Sequence, residues 1–289
     1  MKCKLCGSKR MVKLNTIYAN EIKLAYKMNF KIDVSKFFVS DVVYLYKCLD
    51  CDIKSFYGVR PGDSDFYDYL QEFPMYYESD KPEFRQALNY IAKYNPSKIL
   101  EIGAGKGFFL EKLKNTFEVR ASELSKKSME VLKEKGISLD TEQDTYDFIC
   151  SFQVVEHIDN LGDLLSFIDK KLRVGGLLFI SVPNNDSPYF QETFDVLDYP
   201  PHHLHQFSKK ALLSIGNILK YELIDYWVEP MRIEHFVSII RHRRKKIMNR
   251  FKFISKAFSL VDYFLIPYIY NFYKDVIPGH THGALFKKI

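Results

Sequence analysis

The sequence of 289 residues has few cysteines, one tryptophan and no long apolar run. Its longest apolar region, Leu260 to Phe272, is short and contains Asp262 and Pro267, so it lacks the length and composition of a transmembrane helix. The segment Met1 to Lys13 is polar, so we expect no secretory signal peptide there. We therefore expect a cytoplasmic protein, in whose reducing environment close cysteine pairs bind metal ions more often than they form disulfides.

Neither the composition nor the charge indicates a disordered or a strongly nucleic-acid-binding protein. Hydrophobic residues make up 47% of the chain and charged residues 27%, which is an ordinary globular balance. The formal net charge of +6 is modest for this length and does not by itself indicate a nucleic-acid partner. The chain is long enough for one α/β domain and a small additional module.

The order of apolar runs and helical patterns indicates three parts. Residues 1–60 are expected to form a small N-terminal module, residues 61–80 a linker or lid, and residues 81–289 an α/β domain with a helical insertion at 232–278. Alternating strand and helix patterns in the third part predict a parallel sheet built from βαβ units. The predicted strands are Lys98–Ile102, Phe117–Glu123, Ile137–Leu139, Tyr146–Phe152, Leu177–Val182, Tyr221–Val228 and Gly283–Lys288. The predicted helices are Phe108–Asn115, Ser125–Lys135, Leu161–Leu172 (stopped by Gly175-Gly176) and Ser208–Lys220.

Four of the five cysteines form two Cys-x-x-Cys pairs, Cys3 with Cys6 and Cys48 with Cys51. Each pair can form a knuckle that presents two thiolates to one tetrahedral zinc ion, so the N-terminal module is predicted to be a zinc ribbon. The alternative is four free, buried cysteines without a metal ion. Four protein ligands leave no open coordination position, and we therefore expect the zinc ion to stabilise the module rather than to take part in catalysis.

A glycine-rich loop follows the first predicted strand of the α/β domain. Gly103, Gly105 and Gly107 allow the backbone to approach a ligand closely, and the helix that follows directs N–H groups towards it. A dinucleotide fingerprint would need glycine at the next position, where Phe108 stands, and the loop has no Gly-Lys-Ser/Thr phosphate motif. Glu123 ends the next predicted strand, and its carboxylate is therefore expected beside the glycine loop.

The segment Glu101 to Gly107 resembles the first motif of class I S-adenosylmethionine-dependent methyltransferases, acidic-x-Gly-x-Gly-x-Gly. Tyr146–Ile158 and Val174–Asn184 resemble the fourth and fifth strand motifs of the same family, especially in ubiquinone-type O-methyltransferases and sugar methyltransferases. The resemblance covers Lys98 to about Trp227. The N-terminal ribbon is similar to that of sugar C-methyltransferases, but the sequence does not show their extra C-terminal domain.

This resemblance implies a Rossmann-like sheet of seven strands in the order 3-2-1-4-5-7-6, with the last strand antiparallel, and S-adenosylmethionine as the cofactor. It also implies that the glycine loop passes the methionine part of the cofactor and that Glu123 accepts hydrogen bonds from the ribose hydroxyls. The residues expected to contact the cofactor are Glu101, Gly103, Ala104, Gly105, Gly107, Glu123, Leu124, Ser151, Phe152 and Gln153.

Methylation of an alcohol needs a base, because the hydroxyl proton is too weakly acidic to leave unaided. His202, His203 and His205 follow Pro200-Pro201 in a loop expected beyond the carboxyl edge of the sheet. His203 is the first candidate for the base, with a structural role as its alternative, and a metal site of the three histidines is a further interpretation. His202 and His157 are the other candidate catalytic residues, and the alternative for His157 is a residue at a helix start facing the cofactor.

The helical insertion begins with the basic run Arg241–Lys246 and continues with an apolar stripe from Phe251 to Phe272 at helical spacing. Three interpretations of it remain open. Such a helix packs on its own protein or on the second subunit of a homodimer, lies on a membrane surface near a lipid-linked acceptor, or holds phosphate groups.

The sequence therefore predicts a methyltransferase that acts on an oxygen, or less favourably a carbon, of a sugar or related small molecule in surface-glycan biosynthesis. The expected partner is a nucleotide-linked or lipid-linked acceptor, and peripheral membrane contact is an option. Residues Ser151 to Val154 do not form the Asn/Asp-Pro-Pro-aromatic motif that would indicate methylation of a base nitrogen. Two alternatives are an RNA methyltransferase that uses the ribbon and the basic helix, and an inactive cofactor-binding subunit.

Overall fold

The computed structural model describes residues 1–73, 76, 78–248, 266 and 268–289. Its strands are β1 (Met11–Tyr18), β2 (Val42–Cys48), β3 (Lys54–Tyr57), β4 (Lys98–Ile102), β5 (Glu118–Ser122), β6 (Ser138–Leu139), β7 (Tyr146–Phe152), β8 (Leu172–Pro183), β9 (His205–Gln206), β10 (Glu222–Pro230) and β11 (Pro278–Lys287). Its helices are α1 (Ala19–Phe30), α2 (Ser64–Leu70), α3 (Pro82–Tyr94), α4 (Phe108–Glu111), α5 (Lys126–Glu134), α6 (Leu161–Lys171), α7 (Pro188–Glu192), α8 (Lys209–Leu219) and α9 (Ile233–Met248).

Seven strands form the large sheet, in the order β10-β11-β8-β7-β4-β5-β6. β4 pairs in parallel with β5 and β7, and β7 pairs in parallel with β8. β11 is antiparallel to both of its neighbours, β8 and β10. Numbered along the chain, these strands lie in the order 3-2-1-4-5-7-6 with the last strand antiparallel, which confirms the predicted fold class.

The central strands are apolar because helices cover both faces of the sheet. Along β7, Phe148 and Cys150 belong to the buried cluster that includes residues of α3 and α4. Ile149, which points to the opposite face, belongs to the cluster that includes residues of α6 and α8. The sheet is therefore a rigid layer whose carboxyl edge carries the loops described below.

One predicted helix is not ended by the glycines expected to stop it, and another is shorter than predicted. α6 ends at Lys171, and Gly175-Gly176 lies inside β8 instead of stopping the helix. Pairing between β7 and β8 is irregular between Tyr146 and Phe148, and Gly175 has a φ of 81°, a conformation that favours glycine. The helix predicted for Phe108–Asn115 is α4, which ends at Glu111 before a series of turns.

A second sheet joins the N-terminal module to a loop of the α/β domain. Its strand order is β1-β2-β3-β9, and β9 comes from the loop that follows β8. β9 pairs with β3 through Ser55 opposite His205 and Lys54 opposite Gln206. The predicted part boundaries near residues 60 and 81 stay predictions, but the module and the histidine-containing loop share one set of strands.

The basic insertion is described only in part. α9 contains the basic run, and Arg243 forms an ion pair with Glu192 of α7. Most of the predicted apolar stripe, from Phe251 to Leu265, lies outside the described residues, so its contact with a membrane or a second subunit stays a prediction. No helix in the described part of the chain has the length and hydrophobicity needed to span a membrane.

Candidate active site

The four paired cysteines meet at one point of the N-terminal module. Their sulfur atoms all lie within 4.8 Å of one another. Cys3 Sγ is 3.5 Å from Cys51 Sγ, and Cys6 Sγ is 3.6 Å from Cys48 Sγ. Tetrahedral zinc with Zn–S bonds of about 2.3 Å would place sulfurs at about this separation.

Local backbone geometry supports a metal-binding arrangement of the thiols. Gly7, with a φ of 73°, closes the first knuckle by donating its N–H to the Cys3 carbonyl. Asp52 donates its N–H to the Cys48 carbonyl in the same way. The donor set thus fits a structural zinc ion, which needs thiolate ligands.

The three glycines of the loop after β4 all have left-handed backbone angles. The φ values are 71° at Gly103, 53° at Gly105 and 72° at Gly107. A Cβ atom at Gly103 would lie 2.3 Å from a methyl carbon of Val154, and one at Gly107 would lie 2.6 Å from Leu132. Glycine is therefore needed at both positions for conformation and for space.

Glu123 lies directly beside this loop, as predicted. Its Oε2 accepts the backbone N–H of Gly105 at 2.7 Å. Its Oε1 accepts the N–H groups of Leu124 at 2.7 Å and Ser125 at 2.8 Å. A carboxylate accepts about four hydrogen bonds, so a bound diol would share or replace part of this set. Ala104 is buried in the loop, whereas the Leu124 side chain is 87% exposed.

The three predicted cofactor contacts after β7 differ in their surroundings. Ser151 is buried and donates its hydroxyl to the Ile102 carbonyl at 3.3 Å. Phe152 packs in the sheet core, with its ring centroid 4.9 Å from Phe84. Gln153 has a φ of 56° and donates its side-chain amide to Glu83. Their roles as cofactor contacts stay predictions, and the surroundings of Gln153 are the most polar of the three.

Glu101 is the acidic residue of the glycine motif. It is only 3% exposed, and its Oε2 has no hydrogen-bond partner among the described residues. Burial raises the pKa of this carboxyl well above its usual range. A cationic or hydrogen-bonding ligand that reached this carboxyl would offset the cost of its burial.

Three histidines from two loops form one cluster. The ring centroids of His157, His202 and His203 are 4.4 to 4.9 Å apart. His202 Nδ1 lies 2.9 Å from the Leu197 carbonyl oxygen, and its Nε2 lies 3.0 Å from the Tyr76 hydroxyl. Both of its ring nitrogens are therefore occupied, which indicates a structural role.

His157 is enclosed by acceptor oxygens. Its Nδ1 donates to the His202 carbonyl at 2.7 Å, and its Nε2 lies 3.1 Å from the Gln153 carbonyl oxygen. Burial lowers its pKa to about 4. These two contacts hold the ring between the loops after β7 and β8 and leave little room for a substrate at either nitrogen.

His203 has a different environment. Asp198 Oδ1 lies 3.4 Å from its Nδ1, whereas its Nε2 is 3.9 Å from Glu156 Oε1, too far for a hydrogen bond. Burial, together with neighbouring His157 and His280, lowers the pKa of His203 well below its usual range. A neutral imidazole with a carboxylate at Nδ1 has Nε2 as its basic nitrogen, the arrangement of an oriented general base.

The histidine loop is held from two sides. Leu204 donates its N–H to the Glu156 carbonyl, and Phe56 of β3 donates its own N–H to the Leu204 carbonyl. His205 Nδ1 lies 2.8 Å from Ser55 Oγ and its Nε2 lies 3.0 Å from the Ile158 carbonyl oxygen, so it links the module to the domain. The histidines that the structure brings together are thus His157, His202 and His203, not His205.

Sequence reasoning missed Asp198 and Glu83. Asp198 lies four residues before His202 in a segment without a recognisable motif, and burial raises its pKa to about 6. Glu83 follows Pro82, the first residue of α3, and an acidic residue in a first helical turn is usually exposed to solvent. In this structure Glu83 is 2% exposed. Only the fold shows that both carboxyls are buried beside this site.

Comparison with known proteins agrees with the fold and the motif. A family model described as a methyltransferase domain matches residues 76–244, more than half of the chain. A curated relative, the mitochondrial ubiquinone biosynthesis O-methyltransferase of Dictyostelium discoideum, is 25% identical over 131 residues, which are 41% of this chain and 40% of that protein. The match thus spans less than half of the relative's length.

Solved structures with similar folds include a possible histamine N-methyltransferase from Thermotoga maritima, with 14% identity, a TM-score of 0.49, and coverage of 78% of this chain and 97% of that one. Coclaurine N-methyltransferase bound to N-methylheliamine and SAH has 18% identity, a TM-score of 0.45, and coverage of 71% and 72%.

We predict that Cys48→Ser removes the metal ion and destabilises the module, because one of four thiolates is lost and metal binding supplies folding free energy. The purified chain should contain about one zinc ion, and the variant should contain little, with a lower midpoint of thermal unfolding. Cys150→Ser is the matched control, because Cys150 is buried in the sheet and contacts the Leu100 carbonyl instead. Equal zinc content in the Cys48 variant and the wild type would contradict the site.

Proposed function

The chain belongs to the methyltransferase domain family, and on that basis we propose that it transfers a methyl group from S-adenosylmethionine to a hydroxyl oxygen of a sugar or related small molecule, with His203 as the general base. The observation that carries the choice of base is the placement of Asp198 at Nδ1 of His203. Carbon methylation is the less favoured version of the same proposal.

The cofactor supplies a methyl group on a positively charged sulfur. The tasks left to the protein are to align the acceptor with that methyl group and to accept the hydroxyl proton. In our proposal the glycine loop at Gly103 to Gly107 and the carboxylate of Glu123 hold the cofactor. The His203 imidazole takes the proton at Nε2, and Asp198 holds the ring and stabilises the resulting imidazolium.

The other histidines fit this task less well. His202 has hydrogen-bonding groups at both ring nitrogens, and His157 has carbonyl oxygens at both. Only His203 combines a carboxylate at one nitrogen with no hydrogen bond to the other in the part of the chain that the structure describes.

Two observations support the proposed acceptor class: the name of the curated relative and the resemblance of the strand motifs to sugar methyltransferases. The name of the curated relative is that of an O-methyltransferase, which supports an oxygen acceptor. The motif resemblance to sugar methyltransferases supports a sugar, and surface-glycan biosynthesis would supply it as a nucleotide-linked or lipid-linked compound. Methylation of RNA is the competing outcome of the experiment below.

We expect labelled methyl groups from S-adenosylmethionine to enter a pool of nucleotide sugars or glycan lipids and not RNA. With the acceptor found in this way, His203→Ala should lower kcat by about 10² to 10⁴-fold, because the base is lost while cofactor binding remains. His205→Ala is a control for disturbance of the same loop. Label in the RNA pool would contradict the acceptor class, and near-normal turnover by His203→Ala would remove it as the base.

We predict that kcat rises as pH increases through about 6, the raised pKa of Asp198. Below that pH the carboxyl is protonated and neutral, so it no longer stabilises the imidazolium that forms on His203. Above it the carboxylate is charged, and the rate reaches a plateau. Asp198→Asn should give a low kcat without this rise while KM for the cofactor stays unchanged. A rise of the same size and midpoint in the variant would assign the titration to another group.

A further inference from the structure

Glu83 is a buried carboxyl without a full set of partners. It lies in the first turn of α3 and is 2% exposed. Its Oε1 accepts one long hydrogen bond, 3.4 Å, from the side-chain amide of Gln153. Its Oε2 has no hydrogen-bond partner among the described residues. Such a group is costly to bury, so a native carboxyl of this kind requires an explanation.

Contacts place Glu83 next to the glycine loop. The neighbouring Phe84 ring packs 4.9 Å from the Phe152 ring, at the end of β7. Gln153 comes next, and the side chain of the following Val154 fills the space above Gly103. The carboxyl therefore lies at the edge of the sheet that carries the glycine loop.

The surroundings of Glu83 are rich in unpaired carboxyl oxygens. Both carboxyl oxygens of Glu156, which interacts electrostatically with Glu83, lack hydrogen-bond partners in the described part of the chain, and so does Oε2 of Glu101, which like Glu83 lies near Lys81. Arg232, a neighbouring cation, already pairs with Glu78 and Glu229. Lys81 lies over the Phe84 ring, 5.7 Å from its centroid, and its charge acts on Glu83, but burial outweighs this effect and the pKa of Glu83 is raised. A ligand that satisfies these oxygens should donate hydrogen bonds and carry positive charge.

The methyl donor has such a group. Its methionine part ends in an α-ammonium, with three N–H donors and a full positive charge, and this part is the one expected along the glycine loop. Charge-assisted hydrogen bonds of this kind are about twice as strong as neutral ones. An ammonium would also offset the desolvation that raises the pKa of Glu83 in the free protein.

Resting on the proposed function, we propose that Glu83 binds the α-ammonium of the cofactor and is a cofactor-binding residue outside the glycine motif. The carboxyl is pre-positioned by burial in α3 and by Gln153, so it needs no rearrangement to meet the ligand.

The test compares three ligands, two with the α-ammonium and one without it. S-adenosylmethionine and S-adenosylhomocysteine both have the α-ammonium, whereas 5′-methylthioadenosine keeps the adenosyl thioether without the amino-acid part. In calorimetry with the zinc-loaded full chain, Glu83→Gln should weaken the first two by about 10 to 100-fold, the value of one charge-assisted hydrogen bond, and change the third less than about 2-fold.

Glu72→Gln is the matched control, because Glu72 is exposed and its carboxylate pairs with Lys127 at 3.4 Å. It should bind all three ligands like the wild type. Unfolding of Glu83→Gln without ligand should occur at the same or a higher temperature, because the substitution removes a buried ionisable group without changing the shape of the side chain.

Several results would overturn the assignment. Unchanged affinity of Glu83→Gln for S-adenosylhomocysteine would do so, and so would equal weakening of all three ligands, which indicates a general disturbance of the site. If Glu83→Gln does not fold, Glu83→Asp and Glu83→Ala test the same assignment. The Asp variant keeps the carboxylate, so it should prefer S-adenosylhomocysteine over 5′-methylthioadenosine more strongly than the Ala variant does. Failure of the wild type to bind S-adenosylmethionine would instead reject the proposed function itself.

Discussion

Parallel pairing of β4 with β5 on one side and β7 on the other brings the ends of three strands to one edge of the sheet. The glycine loop, Glu123 and Gln153 each follow one of these strands, so their proximity is a consequence of strand register. The rigid, two-sided core below them fixes that register, because a slipped strand would expose its apolar residues. The glycine angles and the carboxylate contact with Gly105 depend on this pairing.

The N-terminal module has a direct structural connection to the candidate base. β9 of the histidine loop completes the module's sheet, and Leu204 joins β3 on one side to the segment containing Glu156 on the other. His203 and Asp198 are therefore positioned by a sheet whose cysteines lie far from the cofactor loop in sequence. A zinc ion bound by these cysteines would act on the proposed catalysis only through the order of that loop.

The strand order and the glycine site could be predicted because their signals are local: apolar runs, alternating glycines and the acidic ends of strands. β4 begins and ends at the predicted residues, Lys98 and Ile102. Gly175-Gly176 misled the prediction, because glycine marks a strand irregularity as readily as a helix end. The burial of Asp198 and Glu83 and the pairing of β9 with β3 could not be predicted. Each depends on contacts between segments distant in sequence, and such contacts leave no local pattern in the sequence.

The central claim is that the carboxyl edge of this sheet binds an adenosyl sulfonium. Titration calorimetry of the zinc-loaded full chain tests it most directly, with S-adenosylmethionine, its demethylated product and NAD as ligands and Gly105→Arg as the control variant. The account predicts binding of the first two ligands and none of NAD, with all binding lost when an arginine side chain fills the loop. Binding of NAD without any heat from the two adenosyl ligands would contradict it.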